Sequence, residues 1–141
     1  MTAAPVIDIT LPPLHDSQRI IAKDPTRFKV VCCGRRWGKT LLGSTIALAG
    51  CPAGDGHPKI RGALEGGRIS WVAPTVKQAN EGWFYLTKLT RQVPGSQIRL
   101  GDQVVSFPGG GSVEMRTEGG DPNNLRGPGL DGVVCDEAAL L

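Results

Sequence analysis

The fold of this chain is decided by the stretch GRRWGKT at residues 34–40. An apolar run at residues 28–33 precedes it and predicts a buried strand, and residues 39–50 follow with the pattern of a helix. A glycine-rich turn between a strand and a helix directs backbone N–H groups and the positive end of the helix toward an anion. The stretch therefore predicts a phosphate-binding loop, although Cys33 occupies the position where such loops usually begin with glycine.

Two side chains of this loop have expected roles in binding a nucleoside triphosphate. Lys39 is expected to reach the β- and γ-phosphates, and the hydroxyl of Thr40 to ligate Mg²⁺. A second run, GVVCDE at residues 132–137, predicts an apolar strand that ends in two carboxylates. Asp136 would hold the Mg²⁺ shell, and Glu137 would orient or deprotonate the attacking water. The two runs together predict hydrolysis of ATP, with ATP and Mg²⁺ as cofactors; the alternative is a glycine-rich turn that only joins a strand to a helix.

The composition fits one globular domain of 141 residues with a mildly basic balance of charge. The net charge of +3 permits contact with nucleic acid without demonstrating it. No apolar run approaches the roughly 18 residues of a membrane-spanning helix. The four cysteines, Cys32, Cys33, Cys51 and Cys135, have neither disulfide nor zinc-ligand spacing and are expected to be small buried residues in a reducing compartment.

Strand-like and helix-like segments alternate along the chain. Helices are expected at residues 15–23, with Asp16 or Ser17 as the N-cap, at 39–50, and at 75–93, with Thr75 as the N-cap. Strands are expected at residues 28–33, 68–73, 97–100, 103–107, 112–117 and 133–136. This alternation predicts an α/β domain at residues 15–141, with a central, largely parallel sheet flanked by helices, after an extended arm at residues 1–14. A ligand is expected beyond the carboxyl ends of the strands.

Four motifs occur in a distinctive order. They are Pro12 followed by Gln18-Arg19, GRRWGKT at residues 34–40, WVAPT at residues 71–75 and LRGPGLDGVVCDEAA at residues 125–139. This order resembles the ATPase half of the large terminase subunit, the motor that packages DNA in tailed phages, over residues 12–141. The resemblance implies a P-loop NTPase fold. It also implies further ATPase strands and a nuclease domain beyond Leu141, so we expect a fragment or a truncated remnant whose sheet is incomplete on the C-terminal side and which has no nuclease.

The resemblance implies roles for one glutamine and three arginines. Gln18 lies where the family contacts adenine, and Arg35 matches an arginine that senses or stabilises the γ-phosphate. Arg36 shares that role or is a solvated or DNA-facing charge. Arg126 matches an arginine finger that is offered to a neighbouring subunit and stabilises charge on the transferred phosphoryl group. Without these roles, Gln18 would be an exposed polar residue of a helix and Arg126 an ordinary loop arginine.

The expected site residues form three sets. The nucleotide-binding set is Gln18, Gly34, Arg35, Arg36, Trp37, Gly38, Lys39 and Thr40; the catalytic set is Glu137, Arg35 and Arg126; and the metal ligands are Thr40 and Asp136. The resemblance further implies double-stranded DNA, a terminase small subunit and a portal protein as partners. It implies a homo-oligomeric ring in the host cell cytoplasm, encoded by a phage or prophage, with no membrane association.

Three other interpretations stay open. A helicase-like P-loop ATPase usually carries Asp or His two residues after the glutamate that corresponds to Glu137, where this chain has Ala139. A non-catalytic remnant of the terminase family would bind nucleotide without turnover. A nucleoside kinase would need a lid and an acceptor pocket, neither of which is apparent in the sequence.

Overall fold

The computed structural model describes residues 9–54, 56–117 and 129–137. The α-helices in this part of the chain are α1 (Asp16–Lys23), α2 (Lys39–Ala49) and α3 (Val76–Thr90). The strands are β1 (Gly50–Cys51), β2 (Ile60–Arg61), β3 (Arg68–Ala73), β4 (Gln97–Arg99), β5 (Val104–Ser106), β6 (Ser112–Thr117) and β7 (Gly132–Cys135), with a 3₁₀ turn at Ala63–Glu65. Of the predicted N-terminal arm, residues 9–14 are described and have no regular secondary structure.

A five-stranded mixed sheet with the order β4-β5-β6-β3-β7 forms the centre of the molecule. β3 runs parallel to both β6 and β7, whereas β4, β5 and β6 form an antiparallel meander. The prediction of an α/β fold is confirmed. The prediction of a largely parallel sheet is wrong for the part of the sheet formed by β4, β5 and β6. The glycine-containing connections between β4, β5 and β6 are too short for the crossover that parallel neighbours need.

The strand predicted at residues 28–33 is also wrong, because this segment pairs with no strand of the described structure. Phe28 and Val30 are 80% and 92% exposed. An apolar run forms a buried strand only where a neighbouring strand and covering layers meet it, and the run alone does not supply them. For the same reason the expectation that all cysteines are buried is wrong: Cys32 in this segment and Cys135 in the edge strand β7 are exposed.

Trp71 of β3 holds the two long helices against the sheet. Its side chain is fully buried and lies against Gly43 of α2 and Gly82 of α3. A Cβ atom at Gly82 would be 2.6 Å from the indole ring, and one at Gly43 would be 3.1 Å from it. Only glycine at Gly82 therefore allows α3 to approach the ring so closely. This packing places the N-terminal parts of α2 and α3 on the two sides of one cleft.

Candidate functional site

The loop at residues 34–38 leads directly into α2 and contains two left-handed residues. Arg36 has φ 60° and Gly38, the N-cap of α2, has φ 95°. A left-handed residue other than glycine costs energy, and such positions cluster at functional sites. Gly38 offers no side-chain acceptor to the first turn of α2, so the N–H groups there stay open to a bound anion.

Lys39 and Thr40 occupy the first turn of α2, as the motif predicts. The Nζ atom of Lys39 donates a hydrogen bond to the carbonyl of Cys33 at 3.2 Å, so the ammonium group lies across the base of the loop. Thr40 lines the cleft beside it. Lys39 and Thr40 therefore add a cation and a hydroxyl to a helix N-terminus in the same space, and these are donors that bind phosphate groups.

A cleft of about 700 Å³ lies between this loop and α3. From the predicted site residues it brings together Arg35, Arg36, Trp37, Gly38, Lys39, Thr40 and Glu137. Gly34 and Asp136 lie next to lining residues in the chain but do not line the cleft themselves. Arg126 lies outside the described residues. The volume is in the range of small-molecule and cofactor sites.

The opposite wall of the cleft comes from α3, which sequence reasoning missed. Lys77, Asn80, Glu81, Phe84 and Tyr85 line it, and Phe84 and Tyr85 form an edge-to-face pair with ring centroids 5.5 Å apart. The signal was present in the helical spacing. Positions 77, 80, 81 and 84 form the face opposite the buried stripe of α3, and that exposed face turns toward the loop.

Asp136 and Glu137 follow β7, whose carboxyl end lies beside that of β3. The N–H of Asp136 donates to the carbonyl of Val72 at 2.9 Å and so extends the strand pairing by one residue. Burial raises the pKa of Asp136, and the neighbouring charges of Glu137 and Glu81 raise it further, while Lys39 acts to lower it. Glu137 has φ 53°, so it leaves the sheet in a strained left-handed conformation.

Of the two predicted ligands of a divalent cation, Thr40 lines the cleft, and Asp136 directly precedes the lining residue Glu137. Mg²⁺ is usually held by one or two carboxylates together with phosphate oxygens and water, not by a cage of protein ligands. Within the described ranges, no group of three or more His, Cys, Asp and Glu side chains could hold a metal ion. A hydroxyl and a carboxylate are the ligand types that Mg²⁺ uses when it also binds phosphate oxygens.

Gln18 lies behind the loop and is 2% exposed, so it is not an exposed polar residue of a helix. Its Nε2 atom donates to the carbonyl of Gly38 at 3.1 Å and lies 3.4 Å from that of Trp37. The predicted N-cap of this helix, Asp16 or Ser17, is wrong. The side chain of His15 caps α1, because its imidazole accepts the backbone N–H of Gln18.

One known protein is distantly similar to this chain over most of its length. The chain is 29% identical over 147 aligned positions to the terminase large subunit of Thermus virus P23-45, and the alignment covers 90% of the chain. The chain spans only 28% of the length of that relative. No protein-family model matches the chain, and no solved structure matches it. None of the helices described in this structure has the length and apolar character needed to cross a membrane.

Proposed function

We propose that this chain is the nucleotide-binding part of a viral DNA-packaging motor of the terminase large subunit kind, with the fold of a P-loop ATPase. One observation carries the ATPase proposal: the cleft brings Lys39 and Thr40 of the loop and α2 against Glu137 at the end of β7. A phosphate-binding helix N-terminus that faces a carboxylate beyond a neighbouring strand is the arrangement that phosphoryl transfer to water requires. The distant similarity to a terminase large subunit supports the choice of motor.

In this proposal the loop and α2 bind the phosphates, and the carboxylates after β7 act on water and the metal ion. Backbone N–H groups of the loop and the Lys39 ammonium bind the β- and γ-phosphates, and Arg35 stabilises charge that develops on the γ-phosphate. Glu137 accepts a hydrogen bond from the attacking water and orients it. Thr40 and Asp136 would hold Mg²⁺, which offsets the negative charge of the phosphate oxygens when it is bound.

The raised pKa of Asp136 is consistent with its proposed role as a ligand of a cation. A carboxylate that burial and like charges destabilise gains more from a nearby cation than a fully hydrated carboxylate does. Glu137 stands beside it on strained backbone, a feature that clusters at functional sites. Arg126 is proposed as the arginine finger for a neighbouring subunit of a ring, with double-stranded DNA, the small subunit and the portal protein as the other partners.

A second candidate function is nucleotide binding without turnover. It is favoured by the unpaired segment at residues 28–33, because the loop then lacks the strand that would fix its start relative to β7. The two candidates share the binding site and differ only in the chemical step.

The hydrolysis experiment uses three forms of the chain with radiolabelled ATP, in the presence and absence of double-stranded DNA. We expect wild type to release phosphate and Glu137→Gln to bind ATP equally well but to hydrolyse it about a hundredfold or more slowly. Lys88→Ala is the control, because Lys88 is an exposed cation of α3 outside the cleft. Equal phosphate release by wild type and Glu137→Gln would rule out the proposed catalytic role. Binding with no release by any form would favour the second candidate.

A further inference from the structure

The phosphate loop is tied to α1 by a set of contacts that the proposed catalytic roles do not use. The Nε2 atom of His15 lies 3.1 Å from the carbonyl oxygen of Trp37. The imidazole also meets the Trp37 indole edge to face, with the ring centroids 4.8 Å apart. The buried amide of Gln18 lies within hydrogen-bond distance of the carbonyls of Trp37 and Gly38. Two side chains of one helix thus converge on two consecutive carbonyls of the loop.

The hydrogen bonds assign the protons of the His15 ring. Its Nδ1 atom accepts the backbone N–H of Gln18 at 3.3 Å, so Nδ1 carries a lone pair. The neutral ring then has its proton on Nε2, which donates to the Trp37 carbonyl. In return, the Gln18 side chain accepts the backbone N–H of His15 at 2.9 Å and completes a capping box. The same imidazole therefore caps α1 and holds the loop.

Holding the Trp37 carbonyl also fixes the neighbouring N–H group. The peptide bond between Trp37 and Gly38 is trans, so the Trp37 C=O and the Gly38 N–H point in opposite directions. With the carbonyl bound to α1, the Gly38 N–H points to the side of the loop away from α1. The residues that line the cleft come from the loop, α2, α3 and Glu137.

The lack of a side chain at Gly38 is part of the same arrangement. A Cβ atom there would stand 2.4 Å from Nε2 of Gln18, well inside van der Waals contact. A side chain at residue 38 would therefore displace the Gln18 amide from its present position against the loop, in addition to the strain of the positive φ at that residue.

We propose that His15 and Gln18 are positioning residues for the phosphate loop. From α1 they fix the Trp37 carbonyl and so aim the Gly38 N–H at the phosphate of the bound nucleotide. This inference rests on the proposed nucleotide-binding function and assigns Gln18 a role on the loop backbone. Neither residue touches the reacting atoms; each acts through the conformation of one peptide group.

Substitutions at the two positions separate capping from positioning. Asn is among the best N-cap residues, so His15→Asn keeps the cap of α1 but is too short to replace the imidazole at the Trp37 carbonyl. His15→Ala loses both contacts. Gln18→Glu keeps an acceptor for the His15 N–H but places carboxylate oxygens against two carbonyl oxygens. Arg19→Ala is the matched control, since Arg19 is exposed and pairs only with Asp16 among the described side chains.

The experiment measures the affinity of the full chain for ATP by calorimetry, together with its melting temperature. We expect His15→Asn to melt within a few degrees of wild type but to bind ATP about fivefold more weakly, the effect of one lost hydrogen bond. Gln18→Glu should weaken ATP binding about tenfold or more, because the carboxylate repels the two loop carbonyl oxygens and the amide's hydrogen bonds to them are lost. Arg19→Ala should bind as wild type does. In ¹⁵N-labelled protein, the amide resonance of Gly38 should shift on ATP addition in wild type and shift less in His15→Asn.

The outcomes separate this inference from the function on which it rests. If wild type binds ATP and His15→Asn binds it equally well with an equal Gly38 shift, the positioning role is wrong and nucleotide binding stands. If His15→Asn and His15→Ala lose affinity only in proportion to a fall in melting temperature, His15 is a structural cap and the inference is overturned. If wild type binds no ATP, the proposed function fails and this inference fails with it.

Discussion

The two neighbours of β3 in the sheet differ in how completely they are covered. On one side, β6 places Val113 and Met115 in the buried core. On the other side, β7 exposes Val133, and the apolar segment at residues 28–33 stays outside the sheet. The candidate site lies on this second side, since the loop follows residues 28–33 and the two carboxylates follow β7. The covered side stabilises the fold, and the less covered side carries the groups proposed to act on nucleotide.

The largest effect is expected at Trp71, where the core side is anchored. Trp71→Ala should lower the free energy of unfolding by about 3 to 5 kcal/mol, because it leaves a cavity between α2, α3 and β3. Urea unfolding followed by circular dichroism measures the change. Trp83→Ala on α3 is the control, since Trp83 is only partly buried and its loss should lower the free energy of unfolding by less. A loss below about 1 kcal/mol for Trp71→Ala would contradict the packing described.

A matched pair of valines tests the comparison between the two sides directly. Val113→Ala removes a fully buried side chain from β6 and should cost about 2 kcal/mol. Val30→Ala makes the same chemical change at an exposed position and should cost less than about 0.5 kcal/mol. Equal losses in urea unfolding would show that residues 28–33 are as buried in solution as β6 is.

Sequence patterns predicted the covered side well. The bounds predicted for β3 and β6 are confirmed to the residue, and Thr75 is confirmed as the N-cap of α3. These elements have strong local signals: an apolar run closed by Pro74, and a hydroxyl that accepts the N–H of Gln78. The loop and Glu137 line the same cleft, as the sequence interpretation implies. The rule that parallel strands end at one edge of a sheet accounts only for the position of β7 beside β3, because residues 28–33 form no strand.

The less covered side was predicted less well, for a physical reason. An apolar run such as residues 28–33 carries no information about which layers will cover it. The cap of α1 was missed because imidazole is an unusual cap, and its preference here depends on Trp37, which is distant in sequence. The wall that α3 contributes to the cleft depends on the approach of Gly82 to Trp71, a contact that only the tertiary structure reveals.

At the boundary between the two sides, Gly38 and Gly34 form a second matched pair. Gly38→Ala should cost about 1 to 2 kcal/mol of stability, because an L side chain is strained at φ 95° and its Cβ would displace Gln18. Gly34→Ala should change stability by less than about 0.5 kcal/mol, since nothing lies within 4 Å of a Cβ there. Thermal unfolding of both variants checks the difference, and the reverse order would contradict the described loop conformation.

The smallest change in stability is expected at Asp136, where the substitution should stabilise the fold. Its pKa is raised in the folded chain by burial and by Glu137, so the charged carboxylate destabilises the fold at neutral pH. Asp136→Asn should therefore raise the melting temperature at neutral pH. As the pH falls below the raised pKa of Asp136 toward the ordinary aspartate value, the wild-type carboxylate takes up a proton. The difference in melting temperature between Asp136→Asn and wild type should then shrink. If this difference in melting temperature grew on acidification, the carboxylate would have to stabilise the fold.

We propose that the loop, α2 and the end of β7 form a nucleotide site on the less covered side of the sheet. Calorimetric titration of ATP with Mg²⁺ into wild type, Lys39→Ala and the control Lys88→Ala measures whether this site binds nucleotide. We expect wild type and Lys88→Ala to bind ATP equally well and Lys39→Ala to bind it about tenfold or more weakly, because it loses a charge-assisted contact to phosphate. Equal affinity of Lys39→Ala and wild type, or no binding by wild type, would rule out a nucleotide site at the loop.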